Sequence, residues 1–425
     1  MQNFLQELEW RGLIHSKTAG VEEHFQSNKN VRGYIGFDPT APSLHVGSLL
    51  PIMGLVHLQR CGHTPIAIAG GGTGMIGDPS GKTQERKLLS LEEIEANLEG
   101  IKKQLAKFLD FNTKENPATL VNNADWLTKV TMMEFLRDIG KNFSVNEMLA
   151  KDSVKNRIEQ EQGMSFTEFS YSLLQSYDFL ELYERYGCTL QMGGSDQWGN
   201  IVAGKDLIRR KKGAEAHGVV FPLITTSTGT KFGKTESGTV WLDAGRTSPY
   251  RFYQFWYNTV DADVMKYLKF FTLLAQERIA ELEASMQAAP EKREAQTTLA
   301  REVTRTVHDE TALAQALKAS KIFFGGEITD VTDAELVDIF SDVPSVEISK
   351  ASLEGEGMPF ADLLVQAQMA KSKSDARRAI EQGGIYVNNV RAPEANKKIS
   401  MNETIHGKFV LLRKGGKNYF MVKVV

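Results

Sequence analysis

The sequence predicts an α/β protein in which a parallel sheet covered by helices comes first, an all-helical domain second and a small α+β domain last. The chain has 425 residues, enough for two or three domains of ordinary size. Short apolar runs alternate with longer amphipathic stretches through the first half, which is typical of βαβ units. The end of the chain is basic and mixes helical with strand-like patterns.

The first domain is expected at residues 1–247. Its strands are predicted at short β-rich runs and its helices at segments of helical periodicity. The clearest strands are 31–37, 65–70 and 118–124, and the clearest helices are 91–109 and 131–140. From Pro249 to about Ser320 the pattern is helical, which predicts a second domain at 248–322.

Residues 323–357 are rich in glycine, proline and acidic side chains, a composition typical of a tether. A separable module is expected at 358–425. Its elements are two short helices, a strand and a hairpin of 407–413 with 418–424. The second helix is expected to begin after Ser374 as N-cap and to end at Gly383.

Composition excludes several classes of protein. Hydrophobic residues make up 41% and charged residues 24%, which excludes a disordered or collagen-like chain. Cys61 and Cys188 are too few for a disulfide framework and lack the spacing of a zinc site. The N-terminus is charged where a secretory signal would be apolar, and no apolar run reaches the ~18 residues of a membrane span. We expect a cytoplasmic protein.

Charge is distributed unevenly along the chain. The net charge is −3, yet residues 358–425 hold 12 Lys and Arg against 5 Asp and Glu, a net of +7. A basic domain attached to an acidic body predicts binding of a polyanion. A solvated charged face is the alternative that charge alone leaves open.

Two nucleotide-binding patterns occur in incomplete form. Residues 72–77, Gly-Thr-Gly-Met-Ile-Gly, match the dinucleotide pattern G-x-G-x-x-G. That pattern requires a helix to begin at its glycines, and the Asp78-Pro79 pair that follows disfavours a regular first turn. Residues 81–83 and 233–235 end like a P-loop but lack its first glycine. Both interpretations are therefore disfavoured.

A different pair of segments is typical of phosphate binding. Residues 39–48 lie between a strand and an amphipathic helix, so His45 is expected in the first helical turn, where N–H groups favour phosphate. Gly47 would leave room for a flat ring against the backbone. Far downstream, Lys231 and Lys234 lie in a polar, glycine-containing loop that could close over a triphosphate. Each segment alone would more often be a structural turn.

Together these segments resemble the "HIGH" and "KMSKS" signatures of class I aminoacyl-tRNA synthetases. Further motifs resemble the bacterial tyrosyl-tRNA synthetase family over nearly the whole chain, at 34–40, 77–80, 165–171, 175–179 and 191–198. From Met358 onward the chain is similar to the S4 RNA-binding module. The resemblance implies a Rossmann-like catalytic domain, a helical domain and a C-terminal S4 domain.

The resemblance also implies a tyrosine site of seven residues. Two of them would supply a donor and an acceptor to the phenol, and would stay unpaired with a ligand that lacks the hydroxyl: Tyr34 and Asp178. Three would accept hydrogen bonds from the ammonium group, and two more would lie nearby: Asp78, Tyr171 and Gln175, then Asn123 and Gln191. Ordinary packing on one helix face is the alternative for Tyr171 and Gln175.

ATP would be held by two implied sets of residues. Adenosine and ribose would lie against Gly36, Asp38, Gly47, Gly193, Asp196 and Gln197. Ser48, Lys234 and Thr235 would also bind ATP. Charge on the phosphates would be stabilised by Thr40, His45, Lys82, Arg86, Lys231 and Lys234. Ser48 departs from the family pattern, which usually has a second histidine there, and this weakens the case for a two-histidine site.

The implied reaction joins tyrosine to tRNA in two steps, through a tyrosyl-adenylate. The tyrosine carboxylate is already ionised and needs no general base. ATP is then a substrate, Mg²⁺ is expected with it, and no protein-bound metal or organic cofactor is expected. The S4 module would bind tRNA through Lys371, Lys373, Arg377 and Arg378.

Two alternatives stay open at this point. A tryptophan ligase would share the fold, but Tyr34 and Asp178 argue against it because an indole offers only a donor. The other alternative is an RNA-binding protein with an inactive catalytic domain, and the presence of Lys231 and Lys234 argues against it. The resemblance further implies a homodimer with residues 131–170 near its two-fold axis.

Overall fold

The computed structural model describes most of the chain. The described residues are 3–80, 89–159, 163–227, 229, 232–235, 238–341, 343–392, 394, 396–416 and 418–425, with the backbone alone at 152, 153, 156, 234 and 235. They form two compact units: Met1–Thr247 with Trp256–Val307, and Ser248–Phe255 with His308–Val425.

The first unit is built on a mostly parallel sheet. Its strands are β1 (Ser16–Lys17), β2 (Arg32–Phe37), β3 (Thr64–Ala69), β4 (Thr119–Asn122), β5 (Leu190–Gly194), β6 (His217–Phe221), β7 (Lys234–Thr235) and β8 (Gly238–Thr239). The main sheet has the order β1-β6-β5-β2-β3-β4, while β7 and β8 form a separate pair. All neighbours from β6 to β4 are parallel, and β1 is antiparallel at the edge. The predicted parallel sheet is confirmed.

Helices cover this sheet, and β3 is buried along its whole length. The helices up to Val307 are α1 (Phe4–Arg11), α2 (Val21–Ser27), α3 (Leu49–Arg60), α4 (Leu91–Phe108), α5 (Ala124–Leu127), α6 (Met132–Glu134), α7 (Val145–Leu149), α8 (Asp152–Glu159), α9 (Phe166–Tyr186), α10 (Trp198–Lys212), α11 (Pro249–Tyr257), α12 (Asp261–Phe271), α13 (Gln276–Ala288) and α14 (Glu294–Val307). Of these, α11 begins in the second unit. Among the helices described, none combines the length and apolarity that crossing a membrane requires.

The strand order places a crevice at one point of the sheet. Strand β2 has β3 on one side and β5 on the other, so the chain order reverses between β2 and β5. In doubly wound sheets, ligands bind at the carboxyl ends of the strands beside such a reversal. The segments that follow Phe37 and Gly194 meet there.

The second unit contains a five-stranded sheet between two layers of helices. Its elements are α15 (Glu310–Phe323), α16 (Asp333–Ile339), α17 (Phe360–Gln366), α18 (Lys373–Glu381), β9 (Ser345–Ile348), β10 (Met358–Pro359), β11 (Ile385–Val387), β12 (Val390–Arg391), β13 (Lys398–Ile399), β14 (Phe409–Lys414) and β15 (Asn418–Val424). The sheet order is β12-β11-β14-β15-β9. Val410 and Leu412 pack towards α17 and α18, while Leu411 packs towards α15 and α16, because side chains alternate along a strand.

The segment expected to be a tether differs from that expectation. Residues 323–357 contain α16 and β9, and Leu336, Ile339 and Phe340 are buried in a core shared with β14 and β15. Apolar residues at helical spacing outweigh the acidic composition here. Since β9 pairs in parallel with β15, the C-terminal sheet also begins before residue 358.

The expected helical domain is divided as well. Helices α12 to α14 belong to the first unit, and α15 belongs to the second.

One helix cap also differs from the prediction. Ser372, and not Ser374, caps α18, because the Ser372 side chain accepts from the Asp375 N–H at 3.2 Å. The predicted hairpin of β14 and β15 is present.

Candidate active site

A cavity of about 580 Å³ opens at the carboxyl ends of β2 and β5. Its wall contains every described side chain or glycine that the sequence analysis assigned to tyrosine or ATP. These are Tyr34, Gly36, Asp38, Thr40, His45, Gly47, Ser48, Asp78, Asn123, Tyr171, Gln175, Asp178, Gln191, Gly193, Asp196 and Gln197. The two sets therefore form one continuous site.

Five expected ATP residues cannot be placed in this cavity. Lys82, Arg86 and Lys231 lie outside the described residues, and so do the side chains of Lys234 and Thr235. Their assignments stay predictions.

One end of the cavity is closed by Tyr34 and Asp178. Tyr34 lies on β2, is 1% exposed, and its ring packs against Phe179 with centroids 5.3 Å apart. Burial, together with the negative charge of Asp178, raises the pKa of the Tyr34 phenol well above its ordinary value. Within the described structure its hydroxyl has no hydrogen-bond partner. A buried hydroxyl without a partner can still form a hydrogen bond with a ligand.

The Asp178 carboxyl group is held by two donors. Trp126 Nε1 donates to Asp178 Oδ1 at 2.7 Å, and Asn123 Nδ2 donates to Oδ2 at 3.0 Å. Burial raises the pKa of Asp178 to about 7, although both hydrogen bonds oppose the rise. Asp178 thus exchanges its proton near neutral pH while its orientation is fixed.

Asn123, expected near the ammonium group, lies in the cavity wall and is hydrogen-bonded to its protein neighbours. Its Nδ2 donates to both Asp178 and Thr73 Oγ1, and its Oδ1 accepts from the Gly72 N–H at 2.7 Å. These bonds use both ends of its amide. Asn123 therefore orients Asp178, and sequence reasoning missed Trp126, which follows it by three residues on α5.

The glycine-rich stretch that resembles a dinucleotide motif supports this site instead. It forms a 3₁₀ turn at Thr73–Met75, and Thr73 Oγ1 donates to Asp38 Oδ1 at 2.8 Å. A Cβ added at Gly70 would lie 2.2 Å from Asp38 Oδ1. The glycine is needed because the Asp38 carboxylate lies directly against the backbone.

Carboxylates line the middle of the cavity. Tyr171 on α9 donates its hydroxyl to Asp38 Oδ2 at 3.1 Å, which joins the tyrosine set to the ATP set. Asp78 accepts from Gln197 Nε2 at 2.7 Å, and Gln175 Oε1 accepts from Asn200 Nδ2 at 3.2 Å. Sequence reasoning missed Asn200. These anionic and carbonyl oxygens suit an ammonium group.

His45 begins the helical segment and does not lie inside it. Its backbone is extended and pairs with Trp241, so it cannot be part of the first turn that the sequence predicts. Its Nδ1 accepts from the Gly47 N–H at 3.0 Å. The proton of the neutral ring is then on Nε2, which can donate to a phosphate.

The two signature segments are neighbours. The Val46 N–H donates to the Val240 carbonyl and the Val240 N–H donates to the Gly233 carbonyl, each at 3.0 Å. Gly233 has φ +79°, and a Cβ added there would lie 2.7 Å from Val46 Cγ2. Gly233, which lies between the two lysines, and Val240, which follows them, are therefore next to the histidine segment.

The expected tRNA-binding side chains, Lys371, Lys373, Arg377 and Arg378, are all exposed on the second unit. Lys373 pairs with Asp362 at 2.9 Å. Arg378 lies 3.7 Å from Asp375. Exposed ion pairs of this kind contribute little to stability, so these cations can turn to a polyanion.

No group of three or more metal-ligating side chains occurs among the described residues.

Comparison with known proteins assigns the chain to a family. A family model described as "tRNA synthetases class I (W and Y)" matches residues 26–325. A second one, described as "Tyrosine--tRNA ligase SYY-like C-terminal domain", matches residues 335–422. The chain therefore belongs to the class I tRNA synthetases of the tryptophan and tyrosine group.

Individual relatives narrow this to the tyrosine–tRNA ligases, the family to which the chain belongs. It is 57% identical over 425 residues to a tyrosine–tRNA ligase of Roseiflexus castenholzii, with both chains fully covered. It is 51% identical over 424 residues to one of Geobacillus stearothermophilus, covering 99% of each.

Solved structures agree on the fold. A C-terminally truncated mitochondrial tyrosyl-tRNA synthetase of Aspergillus nidulans matches with a TM-score of 0.69 and 32% identity, covering 76% of this chain and 95% of that one. A tryptophanyl-tRNA synthetase of Encephalitozoon cuniculi matches at 13% identity with a TM-score of 0.54, covering 78% of this chain and 90% of that one. The second likeness concerns the fold alone.

Proposed function

We propose that this chain activates L-tyrosine with ATP and transfers the tyrosyl group to the 3′ end of tRNA(Tyr). The observation that carries the amino acid assignment is the closed end of the cavity, where Tyr34 has an unpaired hydroxyl beside the Asp178 carboxylate. A phenol that donates to Asp178 and accepts from Tyr34 satisfies both groups. The ammonium group lies among Asp78, Tyr171 and Gln175.

The first step forms tyrosyl-adenylate. The ionised tyrosine carboxylate attacks the α-phosphorus of ATP, a bond forms between its oxygen and that phosphorus, and the bond to pyrophosphate breaks. The residues of the site hold the carboxylate in line with the bond that breaks and stabilise charge on the phosphates. His45 donates from Nε2, and Thr40 and the four basic residues Lys82, Arg86, Lys231 and Lys234 complete the set. Mg²⁺ enters with ATP, since this ion is usually held by substrate phosphates and few carboxylates.

The nucleoside lies against the ends of β2 and β5. A Cβ added at Gly36 would meet no atom within 4 Å, so the glycine leaves the cavity wall open to a flat base or ribose. Asp38 and Asp196 offer carboxylate oxygens to the ribose hydroxyls. In the second step, a 3′-terminal tRNA hydroxyl attacks the acyl carbon and releases AMP.

Transfer needs tRNA, and we assign its binding to the basic second unit through Lys371, Lys373, Arg377 and Arg378. Such contacts are mainly to phosphates and are therefore weakened by salt. The cytoplasmic location stays a prediction.

We also propose a homodimer. Of the fifteen large hydrophobic side chains that are exposed in the described part of the chain, seven lie between residues 132 and 166. They are Met132, Met133, Leu136, Val145, Leu149, Ile158 and Phe166. Exposed apolar side chains concentrated in one segment are typical of a protein interface, and a second copy of the chain is the proposed partner.

The histidine assignment gives a direct test of the chemistry. His45→Ala should slow tyrosyl-adenylate formation about 100-fold, because the contact strengthens in the transition state. Its tyrosine dissociation constant should stay within about twofold of the parent value. His15→Ala is the control, since His15 is exposed outside the cavity. Equal losses of rate and of tyrosine affinity in His45→Ala would contradict the assignment.

A further inference from the structure

One face of α12 contacts the loop that contains the two signature lysines. We call residues 226–239 the lysine loop. Asp263, Tyr267 and Phe271 are spaced four residues apart on α12, which places them on one face of the helix. All three are buried, and each contacts a described residue of the lysine loop.

The first contact is made by Asp263. Its Oδ2 accepts hydrogen bonds from the Ser227 N–H and from the Ser227 hydroxyl, both at 3.0 Å. Asp263 is 6% exposed. Charge-assisted bonds to a buried carboxylate are among the stronger ones in proteins, so the start of the lysine loop is fixed to the helix.

The second contact is made by aromatic rings. Phe232 stacks on Phe271 with centroids 5.6 Å apart and an angle of 4° between the planes. The Tyr267 ring meets the Phe232 ring edgewise, with centroids 5.2 Å apart. The Trp256 ring is tilted against the Phe232 ring at 5.9 Å. Phe232 is 8% exposed, although it is the chain neighbour of the charged Lys231. An aromatic residue inserted this deeply fixes the backbone beside that lysine.

The helix that carries these contacts is itself fixed at its end. Arg11 is 2% exposed and donates to the carbonyls of Lys269, Thr272 and Leu274 at 3.0, 2.8 and 2.8 Å. These bonds satisfy carbonyls that a helix end otherwise leaves open. Helix α12 is therefore a rigid support.

We infer that Asp263 and Phe232 are positioning residues for adenylate formation: they attach the lysine loop to α12 at Ser227 and at the aromatic cluster of Trp256, Tyr267 and Phe271. The inference rests on the proposed function, in which Lys231 and Lys234 stabilise the phosphates. Because Ser227 and Phe232 are held against α12, less conformational entropy is lost when the lysines meet ATP.

The test is single-turnover formation of tyrosyl-adenylate at saturating tyrosine. Phe232→Ala and Asp263→Ala should each slow this step by about 10- to 100-fold, since small misplacements of catalytic groups have effects of this size. Tyrosine affinity, measured by calorimetry, should stay within about twofold of the parent value. Asp263→Asn keeps an acceptor oxygen and should recover part of the rate.

Two further variants separate positioning from general stability. Phe4 is also buried in the first unit, at 1% exposed, and its ring packs against Phe25 and His63. Phe4→Ala should therefore lower the melting temperature while the adenylate rate at 25 °C stays at the parent value. Adding Phe232→Ala to Lys231→Ala should slow the reaction less than threefold further, because both changes remove one function.

The outcomes distinguish this inference from the proposed function. If Lys231→Ala forms adenylate slowly but Phe232→Ala forms it at the parent rate, the inference alone is overturned. It is also overturned if the two rate losses multiply fully in the double variant. Lys231→Ala at the parent rate would overturn the role of the lysine itself, and the inference with it.

Discussion

Replacing Tyr34 by phenylalanine removes one oxygen atom from the closed end of the cavity. The ring contact with Phe179 remains, with its centroid distance of 5.3 Å. The Tyr34 hydroxyl is buried and has no hydrogen-bond partner among the described residues. The substitution therefore has opposite effects on the free protein and on the complex with tyrosine.

The size of both effects follows from this geometry. A net hydrogen bond between uncharged groups contributes about 0.5 to 1.5 kcal/mol, so losing it should raise the tyrosine dissociation constant about 2- to 13-fold. Phenylalanine as a substrate has no hydroxyl and cannot make this bond, so kcat/KM for phenylalanine should stay constant or improve. A buried hydroxyl without a partner costs about 1 to 3 kcal/mol. The free energy of unfolding of Tyr34→Phe should therefore equal or exceed that of the parent.

Two measurements check this prediction. Pyrophosphate exchange gives kcat/KM for tyrosine and for phenylalanine, and urea unfolding gives the free energy of unfolding. Tyr419→Phe is a matched control, because the Tyr419 hydroxyl is buried and donates to Asn389 Oδ1 at 2.8 Å. That variant should lose about 0.5 to 1.5 kcal/mol of stability and keep the parent's tyrosine preference.

An unchanged ratio of tyrosine to phenylalanine use in Tyr34→Phe would show that Tyr34 does not contact the phenol. A loss of stability as large as that of Tyr419→Phe would show that the Tyr34 hydroxyl has a hydrogen-bond partner before tyrosine binds.

The remaining predictions concern pH, assembly and tRNA. Burial raises the pKa of Asp178 to about 7, and the substrate phenol binds to the ionised form of Asp178. The tyrosine dissociation constant, measured by calorimetry, should therefore rise about tenfold per pH unit below 7. Asp178→Asn should show no such rise. Met133→Glu should halve the mass in sedimentation, whereas Val390→Glu, equally exposed at 70% against 75%, should not. Changing Arg377 and Arg378 to Ala together should weaken tRNA binding and flatten its log–log salt slope by about two, with pyrophosphate exchange unchanged.

Local patterns were enough to predict much of the fold. The run at 65–70 is apolar throughout and becomes β3, which is buried on both faces. The helix predicted at 91–109 is α4, fixed at its start by a capping box of Ser90 and Glu93. Such elements are predictable because short-range periodicity and caps determine them.

The second unit shows where composition misleads. The acidic and glycine-rich character of 323–357 suggests a tether, yet Leu336 and Phe340 complete a core with Leu411 and Tyr419. That core joins residues more than seventy positions apart, and no local pattern reveals such a pairing. Truncation near Gly355 would remove β14 and β15 from this core, so the module is not separable at that point.

In the site, sequence motifs located the residues that face the cavity but not the ones that orient them. Trp126 and Thr73 act through Asp178 and Asp38, at sequence separations of 52 and 35 residues. An indole N–H or a threonine hydroxyl has no signature of its own. Their roles depend on which strand ends meet, and this is a property of the sheet order.

The central claim is that this site activates tyrosine with ATP. Its most direct test is ATP–pyrophosphate exchange by the full chain, run separately with each of the twenty amino acids. We predict that tyrosine supports rapid exchange and that phenylalanine and tryptophan support almost none, because neither satisfies both Tyr34 and Asp178. Exchange with tryptophan at a rate equal to or above that with tyrosine would contradict the account, and so would a lack of exchange with every amino acid.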